Sequence, residues 1–267
     1  MKTVLYILSS RFENNIKFKN LCFRSDYIVA VDGGLLIAKD FDLVEKVIFA
    51  VGDFDTCKNP ENIISKDKIL RFSVKKDLTD SILAYNLFNE NIKTNENINK
   101  NQKENFKHIF FSISGPRQDH FLSLIFYFTQ FLNQKKLYLK NLKIKNLNQN
   151  KIIQENCFKN NKNDFLIDLL NIEFHNDVES IFLLNAAKYK IYEQKDKIFS
   201  FFPLTKVESL TISPIEYTFP IKLERFYSIG ISNIFKDNIV DLRFRKGNAI
   251  LFIENKDGNP VKIERFR

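Results

Sequence analysis

Tryptophan is absent from this chain of 267 residues, and histidine (3), cysteine (3), proline (6) and glycine (7) are scarce. Three histidines leave little material for a histidine-based triad or metal site. Cys22, Cys57 and Cys157 lie far apart, without a CxxC pair and in odd number. That excludes a disulfide framework and a zinc cluster, and suits thiols in a reducing cytoplasm. No run approaches the roughly 18 uncharged apolar residues of a membrane-spanning helix. The apolar run after Met1 stops at Leu8, and Arg11 and Glu13 follow, so it does not read as a signal peptide. A cytoplasmic protein is expected.

Apolar residues make up 44% of the chain and charged residues 27%, close to the globular average, which excludes wholesale disorder and collagen-like repeats. The length suits one large domain or two ordinary ones, with roughly 70–75% of the unfolded surface buried on folding. The net charge of +9 fits a polyanionic partner, either nucleic acid or a phosphorylated small molecule. The excess is mostly lysine scattered among asparagines, in a chain with 28 phenylalanines, and coding bias explains that usage equally well.

The first 130 residues repeat one pattern: an apolar run, a polar loop, then a helical stretch. Val4 to Leu8 ends in Ser9-Ser10-Arg11, Tyr27 to Val31 in Asp32-Gly33-Gly34, and Val47 to Val51 in Gly52-Asp53-Phe54-Asp55. Ile69 to Val74 ends in Lys75-Lys76-Asp77, and Ile109 to Ile113 in Ser114-Gly115-Pro116-Arg117. Runs apolar on both faces read as buried parallel strands, and their alternation with helices predicts a doubly wound α/β domain over 1–175. Such sheets bind ligands beyond the carboxyl ends of their strands, where these Asp, Gly and Arg residues fall. Residues 91–105 and 140–163, rich in Asn and Lys, read as solvated insertions. From 176 to 267 the pattern changes to short strands at Lys188–Phe202, Glu208–Ile212, Ile239–Phe244 and Ala249–Glu254. Lys246-Gly247-Asn248 and Lys256-Asp257-Gly258-Asn259 read as turns. This half is expected to be an antiparallel β-sandwich.

Gly52-Asp53-Phe54-Asp55-Thr56 is the sharpest chemical feature. An extended segment would send Asp53 and Asp55 to one side and Phe54 inward. Two close carboxylates repel unless a shared cation neutralises them, and an oxygen-only donor set favours Mg²⁺. An acidic surface turn is the plainer alternative. Asp77-Leu78-Thr79-Asp80 supplies a second acidic pair at the start of a helix, where Asp77 as an N-cap and Asp80 as a dipole partner would explain it as well. Gly33 and Gly34 would let backbone N–H groups approach phosphate or ribose, or simply form a strand-to-helix turn. Arg117 could clamp phosphate oxygens. Asp119 could cap the following helix, and His120 could meet a phosphate or a base. The GxGxxG and GxxxxGK[ST] fingerprints are both absent.

In order along the chain, Asp32-Gly33-Gly34, Gly52-Asp53-Phe54-Asp55-Thr56, Lys76-Asp77-Leu78-Thr79-Asp80, Gly115-Pro116-Arg117-Gln118-Asp119-His120 and Ser232-Asn233 resemble thiamine pyrophosphokinase. The resemblance implies an α/β nucleotide-binding domain and a C-terminal β-sandwich. It implies a homodimer with sites at the interface, transferring pyrophosphate from ATP to thiamine with Mg²⁺. It places Asp53, Asp55, Asp77 and Asp80 around the metal and the phosphates. The ATP set would be Asp32, Gly33, Gly34, Thr56, Gly115, Arg117, Asp119 and His120, and the thiamine set Tyr217, Ser232 and Asn233. Asp77 or Asp80 would accept the hydroxyl proton. Thr56 stands where the family usually has Ser, and Ser213-Pro214 where it has Gly. Two other readings stand beside it: a pyrophosphokinase for another primary alcohol, such as a hydroxymethylpterin, and a non-catalytic, basic nucleic-acid-binding protein. The latter lacks a compact basic patch in the sequence, and the acidic strand ends oppose it.

Overall fold

The computed structural model describes residues 1–73, 78–94, 106–113, 118–133 and 169–266. Asp77, Gly115, Arg117, Cys157 and the 140–163 segment lie outside the described residues.

The N-terminal half runs β1 (Lys2–Ile7), α1 (Asn15–Arg24), β2 (Tyr27–Val31), α2 (Gly34–Asp40), β3 (Val47–Gly52), β4 (Ile69–Arg71), α3 (Asp80–Thr94), β5 (Phe106–Phe111) and α4 (Gln118–Asn133). β6 (Ile172–His175), β7 (Glu179–Tyr192), β8 (Ile198–Pro203), β9 (Val207–Glu208) and β10 (Thr211–Ser213) follow. β11 (Lys222–Leu223), β12 (Asn233–Ile234), β13 (Ile239–Glu254) and β14 (Lys262–Phe266) complete the chain. The strand path is β11-β9-β13-β7-β6-β5-β1-β2-β3-β4, parallel from β6 to β4 and antiparallel from β6 outward.

The apolar runs alternate between two cores, as strands buried on both faces must. Val4, Tyr6, Val29, Val31, Phe49 and Val51 face one core with Phe88 of α3 and Phe128 of α4. Leu5, Ile7, Ile28, Ala30, Val47 and Ala50 face the other with Phe18 of α1 and Leu35 of α2. Helices cover both faces, so the doubly wound reading holds. A third core, with Phe199, Phe201, Phe235 and Leu242, fills the antiparallel half. β7 and β13 serve both halves: Ile181 and Leu183 face the first core, Phe182 and Leu184 the third.

Six sequence expectations shift. The stretch read as a strand over Lys188–Phe202 breaks between β7, which ends at Tyr192, and β8, which begins at Ile198, and Glu208–Ile212 divides between β9 and β10. β4 stops at Arg71 rather than Val74: among the described residues it is the outer strand of its edge, paired only with β3. β5 starts and ends earlier than Ile109–Ile113. α3 continues through residues 91–94, so the first part of the expected solvated insertion is helical. Lys246-Gly247-Asn248 is a bulge inside one long strand, not a turn, because β13 keeps pairing with β7 on both sides of a register shift between Phe244 and Asn248. Gly247 carries it at φ 101, and a Cβ there would lie 2.3 Å from the Lys206 carbonyl oxygen.

Candidate active site

The carboxyl ends of β2 and β3 are adjacent, and each is followed directly by an aspartate. Asp32 follows β2 in the left-handed region (φ 49), and its N–H donates to the Val51 carbonyl at 2.8 Å. Directly beyond, α2 starts hard against β1: a Cβ on Gly34 would lie 2.0 Å from the Ile7 carbonyl oxygen, so only glycine fits.

The segment after Gly52 is not extended. Phe54 turns inward, as expected, but through a left-handed conformation (φ 57) that buries its ring to 2% exposure. Asp53 Oδ1 accepts the Asp55 N–H at 3.3 Å, and the Thr56 hydroxyl donates to Asp55 Oδ1 at 3.0 Å. This tight turn brings one carboxylate oxygen from each of Asp32, Asp53 and Asp55 within 4.8 Å of one another. Burial pushes the Asp32 pKa up. The Gly33 N–H and Thr56 hydroxyl pull it down, and the Asp55 and Asp53 charges add to the rise. Oδ1 of Asp32 is buried without a hydrogen-bond partner among the described residues.

Those observations fit a small divalent cation. All donors are hard oxygens, the charges repel, and one buried oxygen lacks a partner.

Arg71 was not flagged from the sequence. It ends β4, and its guanidinium donates to the Asp53 carbonyl at 3.2 Å, lies 5.0 Å from the Phe54 ring centroid and pairs with Glu61 at 3.7 Å. It holds the backbone of the turn that carries the two carboxylates. Reading the strand through Val74 had hidden it as an interior residue. Asp80 opens α3 and is outside the three-carboxylate group. Asp119 and His120 are exposed in the first turn of α4.

On the antiparallel half, Tyr217, Ser232 and Asn233 come together. The Asn233 carboxamide accepts the Tyr217 N–H at 3.1 Å and donates to the Tyr217 carbonyl at 2.6 Å. It also accepts the Ile234 N–H at 2.9 Å. The buried Asn233 therefore positions a Tyr217 that is 66% exposed. Ser232 sits at φ 55, with its N–H on the Ser200 hydroxyl at 3.1 Å.

Residues 18–140 match the family described as "Thiamin pyrophosphokinase, catalytic domain". No curated protein sequence gives a match. Among solved structures, thiamine pyrophosphokinase from Bacillus subtilis is similar at 18% identity and TM-score 0.65, covering 95% of this chain and 99% of that one. A thiamin pyrophosphokinase family protein from Enterococcus faecalis gives 18% and 0.64, covering 96% and 99%. Yeast thiamin pyrophosphokinase gives 14% and 0.63, covering 95% and 86%. At these identities the structures show a shared fold, and residues 18–140 are similar to the catalytic domain of thiamin pyrophosphokinases.

Proposed function

We propose that the protein transfers the pyrophosphoryl group of ATP to the primary hydroxyl of thiamine, giving thiamine diphosphate and AMP. The carrying observation is the convergence of Asp32, Asp53 and Asp55 at adjacent strand ends, within a matched catalytic domain. The hydroxyl oxygen bonds to the β-phosphorus as the α–β bridging P–O bond breaks. AMP leaves, and the hydroxyl proton goes to a carboxylate, Asp77 or Asp80. No covalent protein intermediate is needed, so positioning and charge neutralisation carry the rate.

Asp32, Asp53 and Asp55 would hold Mg²⁺, with Asp77 and Asp80 completing the acidic surround. The ion would supply Lewis-acid neutralisation of phosphate oxygens. Asp32, with Gly33, Gly34 and Thr56, borders the nucleotide side, and Gly115, Arg117, Asp119 and His120 belong to the same ATP set. Arg117 would balance phosphate charge. Tyr217 would stack on thiamine, with Ser232 and Asn233 setting its loop.

The working unit in this reading is a homodimer. From β3 to β13 the sheet path takes six steps, or about 29 Å at about 4.8 Å per strand. The acidic strand ends and the Tyr217 loop are thus at opposite parts of one chain. Between residues 217 and 231, Tyr217, Ile221, Phe226, Tyr227, Ile229 and Ile231 are all about half or more exposed, an apolar surface suited to a second copy. Among the described residues no helix is long and apolar enough to cross a membrane. The reducing cytoplasm remains the proposed location on the isolated cysteines.

Incubation with ATP, Mg²⁺ and a panel of primary alcohols is expected to release AMP with thiamine alone. AMP release with a hydroxymethylpterin instead would move the assignment to the other pyrophosphokinase class. Mixing Asp55→Asn with Tyr217→Ala protein is expected to restore activity through hybrid dimers, and no restoration would refute the shared site.

A further inference from the structure

The antiparallel half carries a concentration of positive charge that the reaction does not use. A groove of about 260 Å³ is lined by the small Ala186 and Ala187 and by four cations: Lys188 of β7, Arg243 and Arg245 of β13, and Arg265 of β14. Three of the chain's nine arginines line this one feature. The sequence reading expected no compact basic patch. The ladder makes one, by setting Arg243 directly opposite Lys188, about 55 positions away, with Arg245 two residues on along the same strand.

The register shows that the charge is not incidental to the sheet. In one cross-strand row, Asp241 of β13 pairs with Lys190 of β7, which pairs with Glu264 of β14. Negative, positive and negative alternate, and that row neutralises itself. In the next row on the same face, Arg243 stands directly opposite Lys188, and the third member is Phe266. Like charges directly opposite one another destabilise a ladder. Among the described residues Lys188, Arg243 and Arg245 make no ion pair and no side-chain hydrogen bond, and all three are exposed. Folding alone gives no reason to place them there.

We propose that this groove binds a small anion carrying two or more phosphoryl groups, either an inorganic polyphosphate or the phosphate tail of a nucleotide. Arginine forks match phosphate oxygens, and the three exposed cations Lys188, Arg243 and Arg245 on one face largely balance a diphosphate or triphosphate group. The bordering Asp241 and Glu264 would repel an extended nucleic-acid backbone. Phe266 offers little stacking surface, since Lys190 Nζ lies 6.0 Å from its ring centroid. Two copies would not pair through this face, because a two-fold contact sets cations against cations. The site is distinct from the acidic strand ends and does not rest on the proposed reaction.

The test is calorimetric titration of the full chain with inorganic tripolyphosphate, and separately with ATP, in the presence of a metal chelator. Without metal the acidic strand ends repel polyphosphate, so binding reports on the groove. Saturable one-to-one binding is expected. It should weaken about tenfold for each cation removed, as loss of a charged hydrogen bond implies, in Arg243→Ala, Arg245→Ala and Lys188→Gln. Tripolyphosphate binding as tight as ATP binding identifies the phosphate tail as the determinant. ATP alone binding, or binding unchanged in all three variants, overturns the proposal. So does tighter binding of a single-stranded RNA than of tripolyphosphate at the same salt. The variants should keep thiamine-dependent AMP release, since none is placed in the catalytic or thiamine sets.

Discussion

Gly52 and Asp32 are packed so closely that a Cβ on Gly52 would lie 3.0 Å from both Cα and Cβ of Asp32. The end of β3 can carry its acidic turn beside Asp32 because Gly52 has no side chain. Gly52→Ala should therefore push the two strand ends apart. The expected cost is about 1–3 kcal/mol of stability, typical of overpacking, together with a raised Mg²⁺ requirement. Chemical denaturation and a Mg²⁺ titration of the rate check the two effects. A variant with an unchanged Mg²⁺ requirement would show that the close approach does not matter to the site.

Asp55→Asn keeps the shape of the side chain and removes one charge from the three-carboxylate group. Removing a comparable preorganised electrostatic group lowers kcat by about 10²–10³. A fall of at least that size is expected in steady-state AMP release. Near-normal kcat would remove Asp55 from the metal site.

Arg71 acts through the turn it holds, as a positioning residue. Arg71→Ala loses the hydrogen bond to the Asp53 carbonyl and the contact with the Phe54 ring. The apparent Mg²⁺ affinity should fall more than kcat at saturating Mg²⁺. Arg71→Lys, which keeps the charge without the planar fork, should rescue only in part. Equal losses in both parameters, with no dependence on Mg²⁺, would indicate a purely structural role.

Asn233→Ala leaves the Tyr217 N–H and carbonyl without the amide that now bonds both. The loss should destabilise the loop by about 1–3 kcal/mol and raise KM for thiamine while leaving KM for ATP unchanged. Tyr217→Ala should give the same KM split without the loss of stability, because that side chain is exposed. Equal rises in both KM values would place the loop outside a thiamine pocket.

Lys17 gives the stability a pH dependence. It is fully buried on α1, its ammonium donating to the Glu179 carbonyl at 2.8 Å. Burial pushes its pKa down to about 7, against the opposing pull of Asp177, Glu179 and Asp257 and with a small push from Lys197. Between about pH 7 and the ordinary lysine value of about 10.4 the unfolded chain holds this proton and the native chain does not. Stability from this group should rise with pH across that window. Denaturation of wild type and Lys17→Met at pH 7 and pH 9 reads it as the difference between the two slopes. Parallel slopes would contradict it.

The strand-end aspartates were legible because buried runs announce parallel strands, and parallel strands place their ligands at one edge. Phe54 was legible as inward-facing, but not its left-handed backbone, which periodicity cannot encode. Asp32 was legible as a strand-end residue. That its oxygen converges with those of Asp53 and Asp55 depends on a close approach between β2 and β3 that no spacing along the chain expresses. The bulge at Gly247 was read as a turn because Lys-Gly-Asn has turn chemistry. The long pairing of β13 with β7 overrides that local signal. Arg71 and the Arg243–Lys188 row were invisible for the same reason: their partners are set by tertiary register, not by neighbours in sequence.

The central claim is pyrophosphoryl transfer to thiamine, and AMP formation measures it most directly. Quantified chromatographically from ATP and Mg²⁺, AMP and thiamine diphosphate should appear in equal amounts, only when thiamine is present, and should cease on chelation of the metal. Folded protein that binds ATP yet yields no thiamine-dependent AMP, or yields ADP in its place, would contradict the account.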